Sequence, residues 1–177
     1  HTAGVFKRIL REEKAEREMK QISLPFPSAT DVGAKRYRHR RIVTAGGIYD
    51  LASIMEELNR RFFGNSVEAS ITWGRRGASS RRRRRGRHIT LGSYCGRSRM
   101  ITIHPRLDCP SIPRFFVEAI VYHEMCHQVA GEERIGSRRR VHTTQFKELE
   151  RRFPMFSEAK RWAKDNIELL INGRSRR

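Results

Sequence analysis

The chain has 177 residues and carries 38 Lys+Arg against 19 Asp+Glu, for a formal charge of +19. That length suits one domain with extensions, and no run of eighteen apolar residues offers a membrane span. Three cysteines, Cys95, Cys109 and Cys126, form no C-x-x-C unit; so sparse and odd a set argues against a disulfide framework, excludes a four-cysteine zinc ribbon within this chain and points to a reducing, cytoplasmic setting.

A field of this sign attracts polyanions, and nucleic acid is the commonest of them in a cytoplasm. Arg outnumbers Lys 31 to 7, a bias that a GC-rich genome also produces without selection for binding. No secretory pattern of a basic start and an apolar stretch is visible.

In chain order, residues 1–20 predict a charged helix of alternating sign, a solvated extension. "LPFPSATDVGAKRYRHRR" follows as a linker and basic arm. The expected organisation is an N-terminal extension over 1–45, a domain over 46–172 and a basic tail over 173–177. Order begins near Gly46. Ile48, Leu51, Met55, Leu58 and Phe62 recur at helical spacing, and Gly64-Asn65 closes that helix. Val67, Ala69, Ile71 and Trp73 alternate with polar residues, the period of a half-buried strand.

"RHITLGSY" (87–94) and "RMITIHP" (99–105) are the second and third strands. Between the first two lies "GRRGASSRRRRRGR", holding Arg75, Arg76, Arg81, Arg82, Arg83, Arg84, Arg85 and Arg87. Its guanidinium forks match phosphate oxygens and it has no aromatic for base stacking, so it is the candidate for sequence-independent nucleic-acid contact. A solvated loop is the plainer alternative. Short strands with short links predict antiparallel neighbours. Helix, three strands, then helices make an α+β domain with a short antiparallel three-stranded sheet.

The next helix has Pro113 at its start and Gly131 at its end. Its apolar residues encircle the axis, which predicts burial, yet it carries "YHEMCHQ". His123 and His127, four apart, project from one face about one helical pitch apart. Two imidazoles so placed reach one ion, and Glu124 beside the first can meet a bound water instead of the metal. Histidines satisfied within a core are the bland reading, but two imidazoles and a carboxylate are costly to bury without partners. H-E-x-x-H on a helix is a zinc metallopeptidase signature.

A catalytic zinc needs a third protein ligand. Glu132, Glu133, His142, Glu148 and Glu150 lie downstream. On a helix through this region Phe146, Leu149 and Phe153 share the direction of His142, with Glu148 on the far side and Glu150 on the flank. His142 is therefore the expected third ligand. A last helix starts at Ser157 and uses Trp162 and Leu169.

The series "LNRRFF…ITWG…RHITLGSY…RMITIHPRL…FVEAIVYHEMCHQ…VHTTQFKEL" resembles the SprT-like (Spartan-type) zinc metallopeptidase domain over roughly residues 46–155. The resemblance implies a small zincin-like fold whose HExxH helix packs on the sheet. It also implies zinc on His123, His127 and His142, Phe146 as the aromatic that follows the third ligand, and Glu124 as catalytic base. The family usually has glycine after the third histidine, where this chain has Thr143.

The expected reaction is peptide hydrolysis by a zinc-activated water, one Zn2+ per chain, with Glu124 accepting the proton. By resemblance, and in agreement with the charge, DNA-associated or DNA-crosslinked proteins are the expected substrates, taken by a monomer without membrane contact. Substrate backbone is expected on an exposed strand edge, for which 99–103 is the guess. A zinc-dependent nuclease and a nucleic-acid-binding module with structural zinc are the rival classes. Tyr94 and Tyr122 are alternatives for stabilising an oxyanion.

Overall fold

The computed structural model describes residues 41–75, 89–131, 133–135 and 138–172. The charged N-terminal helix and most of the linker and arm therefore lie outside the described residues, as do Arg76, Arg81 to Arg85, Arg87 and the basic tail.

Helix α1 (Leu51–Phe62) starts where the Asp50 carboxylate accepts the Ala52 N–H at 3.0 Å, capping a donor that the helix leaves unpaired. It buries Leu51, Ile54, Met55 and Leu58 on one face and ends at Gly64 and Asn65, both at positive φ. Ile48, expected as the first member of that stripe, precedes the helix and is 50% exposed. The approach to the helix is fixed instead by Asp108, whose carboxylate accepts the N–H groups of Gly47, Ile48 and Tyr49 at 2.7, 2.8 and 3.1 Å.

Three strands follow: β1 (Ser70–Trp73), β2 (Gly92–Cys95) and β3 (Met100–Ile103), in spatial order β1-β3-β2. The sheet is mixed, which corrects the antiparallel expectation. β2 and β3 form an antiparallel hairpin with Gly92 opposite Ile103 and Cys95 opposite Met100, while β1 runs parallel to β3. The short 96–99 link leaves β2 and β3 no other choice. A parallel pair needs a crossover of a dozen or more residues, and residues 74–99 supply one, so β1 takes the other side of β3. β3 is thus the central strand with both edges paired, and it is not the open edge guessed from sequence.

Helix α2 (Arg114–Ala130) begins after Pro113 and ends at Gly131, whose φ is +63°. It packs against α1, β2, β3 and the later helices. Phe116, Val117, Val121, Tyr122, Met125 and Cys126 are each 2% exposed or less. The Tyr122 ring sits 5.0 Å from Phe63, 5.4 Å from Phe62 and 5.2 Å from Phe153, an aromatic cluster at edge and tilted geometries. Burial is not complete round the axis, since Val129 is 38% exposed.

A two-stranded antiparallel hairpin, β4 (Glu133–Ile135) with β5 (Arg138–Arg140), stands where the sequence suggested only a polar loop; three-residue strands made largely of Arg and Glu carry no hydrophobic alternation to read. Helix α3 is Thr144–Arg151, and the expected last helix is two, α4 (Phe156–Asp165) and α5 (Ile167–Asn172). The break falls at Asn166, which leaves helical geometry at φ −113°, ψ 25° and whose side-chain amide donates to the Trp162 carbonyl at 3.0 Å beside the ordinary backbone bond at 2.9 Å. The turn lets Leu169 and Leu170 bury, and the Arg106 guanidinium caps the carbonyls of Leu170, at 2.8 Å, and Ile171. No helix among the described residues is long and apolar enough to cross a membrane.

Candidate metal centre

His123 and His127 rise from α2 one turn apart with ring centroids 5.0 Å from each other. His142 arrives from the turn before α3, 5.4 Å from His123 and 5.0 Å from His127. One nitrogen from each of the three lies within 4.8 Å of the others. The three histidines are positioned to hold a metal ion. Phe146 backs all three rings at 4.5 to 5.0 Å, so the aromatic expected to follow the third ligand is in place.

His142 itself lies outside the helix from whose periodicity it was chosen. Thr143 is the N-cap of α3, its hydroxyl accepting the Phe146 N–H at 3.1 Å. Phe146 and His142 meet because the cap turns the chain, not because they share a helical stripe. Thr143 has φ −72°, ψ 175°, an extended conformation open to any residue, so the departure from glycine strains nothing and adds a cap. Glu148 is exposed, away from the site.

Glu150, placed on the flank by periodicity, is a partner of the site. Its Oε1 lies 2.6 Å from His123 Nδ1. Burial alone would raise the Glu150 carboxyl, but the hydrogen bond and charge of His123 hold it below the usual carboxylate range. Burial pulls His123 down, yet Glu150 and Glu124 leave its pKa raised. A carboxylate on Nδ1 fixes the ring and leaves Nε2 as the nitrogen that could take a metal. His127 is lowered to about 3 by burial and by the charges of His123 and His142, so its lone pair is free at neutral pH. The sequence signal available for Glu150 was chemical: ligand histidines take carboxylate partners.

Glu124 is 5% exposed. Burial pushes its carboxyl up to about 7, against the lowering effect of His123 and of a hydrogen bond from the Tyr94 backbone N–H. A Cβ on Gly92 would stand 2.6 Å from Glu124 Oε1, so β2 reaches the carboxylate only because that residue is glycine. A glycine inside a strand pattern signals such an approach, and Gly92 is a site residue the motif reading passed over.

The hydrogen-bond alternation explains which backbone groups face the site. The His104 N–H donates to Leu91 at 2.8 Å. Alternate residues of an antiparallel strand point away from the partner, which turns the polar groups of Gly92 and Tyr94 outward, on the side where Tyr94 meets Glu124. Of the two tyrosines, Tyr122 is committed elsewhere: its hydroxyl donates to the Leu149 carbonyl at 2.9 Å and its ring is 1% exposed. His104 caps the short 3₁₀ turn Pro105–Leu107 by accepting the Arg106 N–H at 3.1 Å. Cys126 is buried, with its thiol pushed up by burial.

A cavity of about 180 Å³ opens between α2, α3 and α4 with His123, Glu124 and His142 in its wall. Of the eight candidate arginines only Arg75 is described. It is exposed and lines, with Arg41 and Trp73, a second cavity at the β1 end of the sheet. Both stems of the arginine segment leave from the same end of β3, Gly74 donating to the Ile103 carbonyl and Leu91 accepting from His104.

The SprT-like family profile matches residues 51–162, which hold α1, the sheet, all three histidines and most of α4. No curated protein and no solved structure matches the chain. With well over half its length matched, and with both the sheet and the histidine cluster inside the match, the chain belongs to the SprT-like family.

Proposed function

We propose that this protein is a zinc-dependent endopeptidase. One observation carries the reading: a buried carboxylate, Glu124, stands with His123 and His142 in the wall of one cleft, and the cluster of three converging imidazoles does not include it. Three histidines without cysteine form the donor set of a catalytic zinc, in which a position stays open, and not of a closed structural one. When bound, zinc would activate water and polarise a carbonyl. His123, held by Glu150, with His127 and His142 would hold the ion.

Glu124, with a pKa near 7, is poised to accept a proton at neutral pH and pass it to the leaving amine. Substrate backbone would run along β2, whose outward groups at Gly92 and Tyr94 border the same carboxylate. The apolar wall beside the histidines favours a peptide over a phosphodiester. The charge of +19 supports proteins held on nucleic acid as the substrate class, gathered through the arginine segment and the basic arm.

The test is cleavage of a DNA-binding protein by the zinc-loaded chain, with and without duplex DNA. Glu124→Gln should keep one zinc and lose at least ~10²-fold in rate, and DNA should accelerate the wild type only on the DNA-bound substrate. Undiminished hydrolysis in Glu124→Gln removes the mechanism; equal rates with and without DNA remove the nucleic-acid arm of the proposal.

A further inference from the structure

The cavity beside the histidines is larger than the metal centre requires. Its volume of about 180 Å³ is in the range where an apolar protein cavity admits one benzene-sized group. Beyond His123, Glu124 and His142 its walls include the large apolar side chains of Phe116, Ile120, Phe153 and Phe156. Space survives among these large side chains because α4 offers Ala159 and Ala163, one turn apart on the same face and each 6% exposed. Any larger residue at either position would fill the hollow.

Four charged side chains also line it: Lys147, Glu150, Arg151 and Lys160. Glu150 is bound to His123, and the Lys160 ammonium lies 4.3 Å over the Phe156 ring. A chain of charge +19 thus sets large apolar side chains, with a few cations among them, beside the histidines and Glu124.

We propose that this cavity is a specificity subsite that takes one large apolar side chain, Leu, Met or Phe, flanking the scissile bond. The inference rests on the peptidase reading above and names its substrate class. Residues of this kind are mostly buried in folded proteins, so the susceptible substrate is an unfolded or loosened segment. A Lys or Asp side chain would lose hydration among the aromatic rings, the Lys also facing like charge from Lys147, Arg151 and Lys160, and Ala would leave the hollow unfilled.

The experiment uses the zinc-loaded full chain and a set of peptides identical but for one central residue: Leu, Met, Phe, Ala, Asp or Lys. The Leu, Met and Phe peptides should be cut with kcat/KM at least ~10-fold above the others, since apolar pocket contacts discriminate by about 10–200-fold. Cleavage should fall at the same position relative to that residue. Ala163→Leu, which fills the hollow, should lose the preference while still cutting the Ala peptide. Phe156→Ala, which widens it, should extend the preference to Trp and guards against a misfolded first variant.

Titration of the same peptides into Glu124→Gln protein should show the same ranking in Kd without turnover. Cleavage with no preference among the six, or a ranking unchanged in both cavity variants, overturns the subsite alone. A zinc-loaded chain that cuts none of the peptides overturns the peptidase reading and the subsite together.

Discussion

At the β1 edge of the sheet, Trp73 donates its backbone N–H to Val43 at 2.8 Å, and the Val43 N–H is taken by the Thr72 hydroxyl at 3.0 Å. At the β2 edge, the Tyr94 N–H donates to Glu124 and Gly92 packs closely against the same side chain. One edge is sealed by the protein's own chain, and at the other, among the described residues, the neighbour is a carboxylate and not a strand. An edge without a partner strand is a template for another, so under the proposed function an extended peptide would join at β2. The two glycines beside Ile103 mark the contrast. A Cβ on Gly92 would meet Glu124 Oε1 at 2.6 Å, whereas one on Gly74 would meet the Ile103 carbonyl at 3.3 Å.

Substitution at these two glycines should separate the edges most strongly. Gly92→Ala should displace the Glu124 carboxylate and reduce peptide hydrolysis by at least ~10²-fold, as loss of a general base does, with metal content unchanged because no ligand is touched. Gly74→Ala should stay within about twofold of wild type. Equal losses in the two variants, read by kcat/KM and metal analysis, would show that the edges do not differ in function.

A second prediction concerns the carboxylate at the open edge in the metal-free protein. Folding holds Glu124 neutral, because burial raises its pKa from 4.5 to about 7. Its contribution to stability is therefore complete below pH 4.5 and lost as pH rises through about 7. Metal-free Glu124→Gln should accordingly be more stable than metal-free wild type at pH 8, by roughly 1–3 kcal/mol, with the gain shrinking towards pH 4.5. Denaturant melts at several pH values check this; a difference independent of pH would remove Glu124 as the group held out of its charged form.

The smallest expected effect lies at the sealed edge. Thr72→Val keeps the shape but deprives the Val43 N–H of its acceptor, costing about 1–2 kcal/mol. Peptide hydrolysis at 25 °C should not change. A loss of activity matching the loss in Gly92→Ala would mean that the sealed edge also serves the site.

How much of this was legible in the sequence depends on the range of the interaction. The i, i+4 spacing of His123 and His127 survives any context, because a helix of fixed pitch puts both on one face. Glu124 follows from adjacency to the first of them, and α1, α2 and the three strands follow from periodicity. His142 was identified although the periodicity argument placed it inside a helix that begins two residues later. The strand partners could not be read, since period-2 alternation says which side of a strand is buried and nothing about which strand lies beside it. Sealing by Val43, the mixed sheet and the edge position of β2 depend on contacts between residues far apart in the chain.

Residue identity and local spacing set the chemistry on offer: three histidines that could hold a metal and a glutamate beside them, with two of the histidines and the glutamate on one buried helix, in a chain rich in arginine. The tertiary structure decided the arrangement that gives those residues a role. It brought His142 from a capped turn to the other two rings, set Glu150 against His123, pressed Gly92 against Glu124 and left a hollow over Ala159 and Ala163. Local spacing fixes direction within one element, whereas the distance between elements is set only when their apolar faces pack.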